Sequence, residues 1–253
     1  MSRFIAVLYG SLVYVFFLAT FLYAIAFVGN FGIVPKTIDS GEAGPWSTAL
    51  LVNAGLLSLF AVQHSVMARP AFKRWWTRFV PRSVERSTYV LFASLALAAM
   101  YVYWRPMTAT IWNVTDTFAA IAISTVFWLG FGLVLVSTFL ISHFELFGVR
   151  QVIARFLNQS IPEAQFRTPM FYRYVRHPIY LGFVLAFWAA PHMTLGHLIF
   201  AIATTGYILV GIWFEERDLM EHFGERYRRY REQVGMLFPR LTKRRVTMEA
   251  LTK

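Results

Sequence analysis

Long apolar runs decide most of what this chain can become. The first, Phe4 to Gly29, contains no charged residue and follows a single Arg3. It exceeds the ~18–20 residues needed to cross ~30 Å of hydrocarbon. It is too long for a signal-peptide core and has no small-residue cleavage site, so it reads as a retained span. Similar runs cover 47–68, 88–104 and 117–143. The stretch 179–214 is too long for one helix, and Pro191, Gly196 and the residues between them divide it into a hairpin, 178–190 and 198–216. The first arm is too short to cross alone. With 57% hydrophobic and only 15% charged residues, the chain departs from soluble usage. The expected fold is all-α: one domain over 1–253, a polytopic transmembrane bundle of five to six spans closed by the hairpin.

Charge orients these spans. All of the 24 Lys and Arg except Lys36 and Arg105 fall at Arg3, in 69–87, in 144–177 or after 214. The positive-inside rule therefore puts both termini in the cytoplasm, which for a bacterial protein means the inner membrane. The net charge of +11 then reports topology and attraction to anionic membrane lipid. No base-stacking or helix-turn-helix module accompanies it, so no nucleic-acid partner is expected, and nothing points to a protein partner. After the hairpin, Leu219, Phe223, Tyr227, Tyr230 and Val234 recur at helical spacing, with Arg226, Arg228, Arg229 and Arg231 between them. Residues 217–238 thus read as an amphipathic helix on the cytoplasmic surface, ended by Pro239. It serves either as a membrane anchor or as a wall of a ligand pocket.

The chain has no cysteine, which excludes disulfides, thiolate metal sites and a cysteine nucleophile. Its six histidines show no paired metal-ligand spacing, so no metal site is expected. Polar groups instead gather at the cytoplasmic ends of the spans. Arg176, His177 and Pro178 open the hairpin, and Glu215 and Glu216 close it. A Pro-started helix offers free N–H groups, here of Ile179, Tyr180 and Leu181, to a carboxylate or phosphate. Gly182 would let a flat ligand approach. The bland alternative is a basic juxtamembrane anchor, with Glu216 salt-bridged to Arg176 or Arg217. Adjacent residues on a helix point about 100° apart, so the two glutamates are not expected to share one task. At the same depth stand His64 with Gln63 and Ser65, Arg86 with Tyr89, and His143 with Glu145, Arg150 and Gln151. Ionisable groups within spans are functional candidates, although for His64 an interhelical hydrogen bond serves as well. A transporter would place its polar groups at the midplane, and no such group is present.

Two motifs carry a resemblance. Arg176-His177-Pro178-Ile179-Tyr180-x-Gly182, followed by Glu215-Glu216-x-x-Leu219-x-x-x-Phe223-Gly224-x-x-Tyr227-x-x-Tyr230, is similar to the C-terminal signature of isoprenylcysteine carboxyl methyltransferases and phospholipid N-methyltransferases. Gln63-His64-Ser65-x-x-Ala68-x-x-x-Phe72-Lys73 and Pro81-x-x-x-Glu85-Arg86-x-x-Tyr89 resemble the nurim/NnrU-type branch. The run His143 to Gln151 resembles the bacterial methanethiol S-methyltransferases within that branch.

The resemblance implies S-adenosyl-L-methionine as methyl donor at the inner membrane face and a small thiol, methanethiol, as acceptor, giving dimethyl sulfide. It implies donor binding by Arg176, His177, Pro178, Tyr180, Leu181, Gly182, Glu215 and Glu216, joined by Arg150 and Gln151. The expected acceptor-side roles are proton acceptance by His64 and orientation of sulfur by Arg86 and Tyr89. Two rivals stand beside this: a lipid or prenylcysteine methyl acceptor, and a nurim-like scaffold without catalysis.

Overall fold

The computed structural model describes residues 2–160 and 166–240, so Lys243, Arg244, Arg245 and Lys253 of the basic tail lie outside the described residues. Helix α1 (Arg3–Val28) starts at Ser2, whose hydroxyl accepts from the Ile5 N–H. Helices α2 (Trp46–Ala68) and α3 (Pro70–Trp76) are separated at Arg69, whose extended backbone precedes Pro70 because a residue before proline avoids the helical region. Helix α4 (Arg82–Tyr103) follows Pro81. Strand β1 (Thr110–Asn113) precedes α5 (Thr117–Ile141), which Asp116 caps by accepting from Ala119 N–H. Two short helices, α6 (His143–Leu146) and α7 (Val149–Phe156), lead by way of a 3-10 turn at Met170–Arg173 to α8 (Pro178–Trp188). Strand β2 (His192–Thr194), α9 (Leu195–Phe223) and α10 (Glu225–Gln233) complete the order.

The protein is an all-α, multi-pass membrane protein. Four described helices, α1, α2, α5 and α9, are long and apolar enough to cross a membrane. Helix α4 is as long but carries Arg82, Glu85 and Arg86 in its first turns. It is the most enclosed helix, packed between α1 and α2. Helix α8 has 11 residues, fewer than a span needs, and lies against α5. Outward faces carry large apolar side chains such as Leu51 and Phe118, 75% and 81% exposed. That distribution suits a lipid solvent, where the outside is as apolar as the core. Cohesion then rests on shape, and the central cluster is aromatic: Phe27, Tyr101, Trp104, Phe127, Phe131 and Phe200.

Two details depart from the sequence reading. The strands β1 and β2 pair antiparallel, with a register irregularity between Thr110 and Trp112, and form a small lid over the end of the bundle away from the termini. This end is called the strand end below, and the opposite one the basic end. The amphipathic segment is not one helix over 217–238. Helix α9 runs unbroken to Phe223, and Gly224, at a φ of 55° that favours glycine, turns the chain into α10. Residues 234–238 then bend alongside residues 175–177: Val175 bridges Gly235 in parallel, Arg176 N–H donates to the Gly235 carbonyl at 2.8 Å, and His177 N–H to that of Met236 at 3.2 Å. Leu237 tucks in against Ile208, Ile212, Tyr180 and Leu181. The chain's last described segment is thus a strap across the feet of α8 and α9.

Candidate active site

The feet of the hairpin meet, and charge holds them. Glu216 is buried. Its Oε1 accepts from Arg176 Nε at 2.7 Å and lies 3.2 Å from His177 Nε2, while its Oε2 lies 3.0 Å from Arg231 Nε on α10. Arg176, itself buried, also donates to the carbonyls of Arg231 and Val234. The salt bridge that the sequence offered as the bland reading is therefore present for Arg176 and Glu216. Each of these two side chains is occupied within the protein. Taking charges out of water is expensive unless they are paired and fully hydrogen-bonded, and this cluster meets that condition.

Glu215 is different. Helical geometry turns it away from Glu216, as expected, and its side chain is 43% exposed. Its Oε2 is 3.7 Å from His177 Nδ1, too far for a hydrogen bond, and has no hydrogen-bond partner. The Tyr172 and Tyr227 hydroxyls also lack partners, and both rings are buried. Burial, then the neighbouring carboxylates (Glu215 for Tyr172, Glu216 for Tyr227), push both phenols above their ordinary pKa. Both remain protonated donors at neutral pH. Buried polar atoms are nearly always paired. Two phenol donors and one carboxylate oxygen are thus left unmatched at the feet of the hairpin. Tyr230, by contrast, is satisfied: its hydroxyl donates to the Tyr172 carbonyl at 2.5 Å and so fixes Tyr172 beside the site.

Three expectations for this region change. Gly182 makes no room for a ligand: a side chain there would meet the Gly130 carbonyl at 2.6 Å and Val134 at 2.8 Å. The small residue is used by helix α5, which packs backbone to backbone on α8. Leu181 N–H donates to the His177 carbonyl at 3.0 Å, and its side chain packs with Ile208, Ile212 and Leu237; neither is offered to a ligand. Arg176 is consumed by Glu216 and the strap. What remains at the hairpin is Tyr180 and the partly exposed Glu215; His177 is buried beside Glu216, and Pro178 sets the helix start, leaving the N–H groups of Ile179 and Tyr180 without a partner four residues back. The His177 and Tyr180 rings lie 5.6 Å apart.

Further into the bundle, the Tyr89 hydroxyl stands 2.8 Å from His64 Nε2 and 3.0 Å from Nδ1. Arg86 lies over the Tyr89 ring at 4.9 Å, and its Nε donates to the Leu146 carbonyl at 2.7 Å. The guanidinium thus steadies Tyr89 and ties α4 to α6. Ser65 and Tyr207 are hydrogen-bonded at 3.3 Å, and the Tyr207 ring stands edge-on to His64. Arg69 pairs with Asp218 at 3.1 Å and covers Phe214, which clamps α2 to α9 beside this group. The structure therefore brings His64, Arg86 and Tyr89 together, as a group distinct from His177, Tyr180 and Glu215.

Arg150 and Gln151 sit elsewhere, on α7, which packs on α1 and α4. Arg150 pairs with Glu145 at 2.6 Å, and Gln151 donates to the Glu145 carbonyl at 3.0 Å. With Phe139, His143 and Phe144, Arg150 lines an open depression of about 440 Å³. Both ring nitrogens of His143 are bonded, to the Tyr14 and Thr138 hydroxyls at 2.8 Å each, which marks it as a structural histidine. Among the described residues no cluster of metal-ligating side chains occurs. Sequence reasoning passed over Tyr172, which lies in an irregular segment with no periodicity to flag it. It quoted Tyr227 on one face of the amphipathic helix and within the C-terminal signature, without giving it a site role.

The molecule is thus a membrane helical bundle with a charge-paired polar cluster at its basic end, between the short Pro-started α8 and Glu215-Glu216, two turns before the end of α9. Comparison narrows it: residues 52–247 match the model of the NnrU protein family, and the chain belongs to that family. It is 55% identical over 239 residues to the methanethiol S-methyltransferase of Mycobacterium tuberculosis, covering 94% of this chain and 98% of the relative. It is 51% identical over 244 residues to the enzyme of the same name from Crocosphaera subtropica, covering 96% and 95%. Nurim of Xenopus laevis is 31% identical over 203 residues, 71% of this chain. No solved structure matches the chain.

Proposed function

We propose that this protein is an integral-membrane methyltransferase that moves a methyl group from S-adenosyl-L-methionine to methanethiol, releasing dimethyl sulfide. The observation that carries the donor half is the set of orphaned buried polar atoms, Glu215 Oε2 and the Tyr172 and Tyr227 hydroxyls. They fit the donor's chemistry: the carboxylate oxygen takes its ammonium or ribose hydroxyls, and the phenols and the α8 N-terminus take its carboxylate. Tyr180, its ring 5.6 Å from that of the buried His177, offers a ring face to the sulfonium. Arg176, Glu216 and Arg231 act as the frame that keeps the two feet at a fixed separation. Arg150 and Gln151, on α7 and held by Glu145 of α6, are kept outside the donor site.

The acceptor half rests on the group of His64, Tyr89 and Arg86 and on the relatives' names. His64 takes the thiol proton, and Tyr89, held by Arg86, keeps the imidazole and the sulfur in register. The reaction removes a positive and a negative charge, so an apolar surround favours the transition state. Methanethiol and dimethyl sulfide are small and apolar and pass through lipid. The basic end faces the cytoplasm of the bacterial inner membrane, with both termini on that side, since the arginines cluster there. Purified protein given methyl-labelled donor with a panel of thiols, a phospholipid amine and a prenylated cysteine tests the reading. Labelled dimethyl sulfide in the headspace is the expected product. Label in the lipid or prenylcysteine alone, or in nothing, would overturn it.

A further inference from the structure

The pull of a basic surface on anionic lipid is diffuse: it needs net charge and no particular arrangement. One corner of the basic end has an arrangement. Met220 on α9, Arg228, Arg231 and Glu232 on α10, and Arg240 just beyond the strap wall an open depression of about 360 Å³. Three arginines against one glutamate leave it with a surplus of positive charge. Those arginines are weakly matched. Arg228 comes no closer than 3.9 Å to Glu225, and both side chains are well exposed, a contact worth little in water. Arg240 donates to the Glu232 carbonyl, which places its side chain without cancelling its charge.

Arg231 belongs to two places. Its Nε lies 3.0 Å from the buried Glu216 Oε2, so it is the strut that ties α10 to the frame. Its Nη1 meets the Met220 sulfur at 3.4 Å, a weak acceptor, and its side chain is 48% exposed. A guanidinium is a planar fork that suits an oxyanion. It can hold Glu216 on one edge and a phosphate on the other. The strap indicates which phosphate. Met236 and Phe238, shortly before Arg240 in sequence, expose 37% and 71% of their surface. In a protein that crosses a membrane, arginines next to exposed apolar side chains suit the level where headgroups meet acyl chains. A water-soluble phosphate would gain nothing from the apolar pair.

We propose that this depression seats one anionic phospholipid, its headgroup phosphate on Arg228, Arg231 and Arg240 and its chains against Met236 and Phe238, and that occupancy steadies Arg231 on Glu216 and so the frame between the feet of α8 and α9. The consequence for donor affinity rests on the methyltransferase reading above; the lipid site itself does not.

The test uses the full chain in nanodiscs of phosphatidylcholine, with or without about 30% phosphatidylglycerol. Phosphatidylglycerol should raise the melting temperature and tighten S-adenosyl-L-methionine binding about threefold. Arg228→Gln combined with Arg240→Gln should lose both gains, while staying within about twofold of wild type in phosphatidylcholine alone. Native mass spectrometry of detergent-extracted protein should find phosphatidylglycerol retained by wild type and lost from that double variant. Arg74→Gln combined with Arg78→Gln, which removes the same charge at the same end but outside the depression, should keep the gains. Their loss there too would reduce the effect to bulk surface charge and overturn the site. So would equal melting of wild type in both lipids, retention of the lipid by the first double variant, or full recovery in phosphatidylcholine on adding millimolar inorganic phosphate. A wild type that melts higher with phosphatidylglycerol yet binds no donor in either lipid would overturn the methyltransferase reading and leave the lipid site standing.

Discussion

The two ends of the bundle both bury polar groups but treat them differently. At the strand end each is matched. The Asp39 carboxylate accepts from Thr194 at 2.5 Å and Asn30 at 3.2 Å, Asn53 bonds both sides of the Arg105 backbone, Trp104 donates to the Ile38 carbonyl, and His197 meets the Phe187 carbonyl. At the basic end one cluster is equally complete, that of Glu216. Every buried side-chain atom left without a partner among the described residues also lies toward that end: Gln63, Arg69, Trp76, Ser83, Ser137, Gln151, Tyr172, Glu215 and Tyr227. Polarity alone therefore does not separate the two ends. Incomplete polarity does, and an unpaired buried group costs about 1–3 kcal/mol that only a ligand or water recovers.

Mutations can sharpen or break this contrast. The largest effect should come from Glu216→Ala, which strands the buried Arg176 guanidinium. Denaturation in detergent should show a loss of about 3–5 kcal/mol; a well-folded protein with only donor affinity reduced would show that Glu216 belongs to the ligand rather than the frame. Gly182→Ala should come next, since the new methyl meets the α5 backbone. About 1–3 kcal/mol of stability should go, with donor affinity changing only in proportion to the unfolded fraction. Glu215→Gln should leave the melting curve in place and weaken donor binding by about 1–3 kcal/mol, as titration calorimetry reads it. Tyr172→Phe should act the same way more weakly, about 1 kcal/mol. Asp39→Asn, at the complete end, should lower stability by roughly 1 kcal/mol and leave donor affinity unchanged. A weakened affinity there would erase the distinction between the ends.

Much of this was legible before the fold. The apolar runs place α1, α2, α5 and α9, and the proline and glycine between 191 and 196 place the hairpin turn. The i to i+1 rotation on a helix separates the roles of Glu215 and Glu216. Other features leave no local signal. The strap at 234–238 depends on pairing with Val175, some sixty positions earlier in sequence, and no periodicity reports that. Gly182 reads as an opening until Gly130 on another helix is seen to fill it. Arg150 and Gln151 are held by Glu145 on a helix that packs on α1 and α4, a packing that local sequence does not report. Tyr172 sits in a 3-10 turn, and its value comes entirely from what it is not bonded to.

The most direct test is a structure of the protein with S-adenosyl-L-methionine or its demethylated product bound. The account predicts ligand density between the feet of α8 and α9, touching Glu215 Oε2 and the Tyr172 and Tyr227 hydroxyls, with Arg176, Glu216 and Arg231 still bound to one another. Density seated instead against Arg150 and His143, with those three polar atoms still unpartnered, would contradict it.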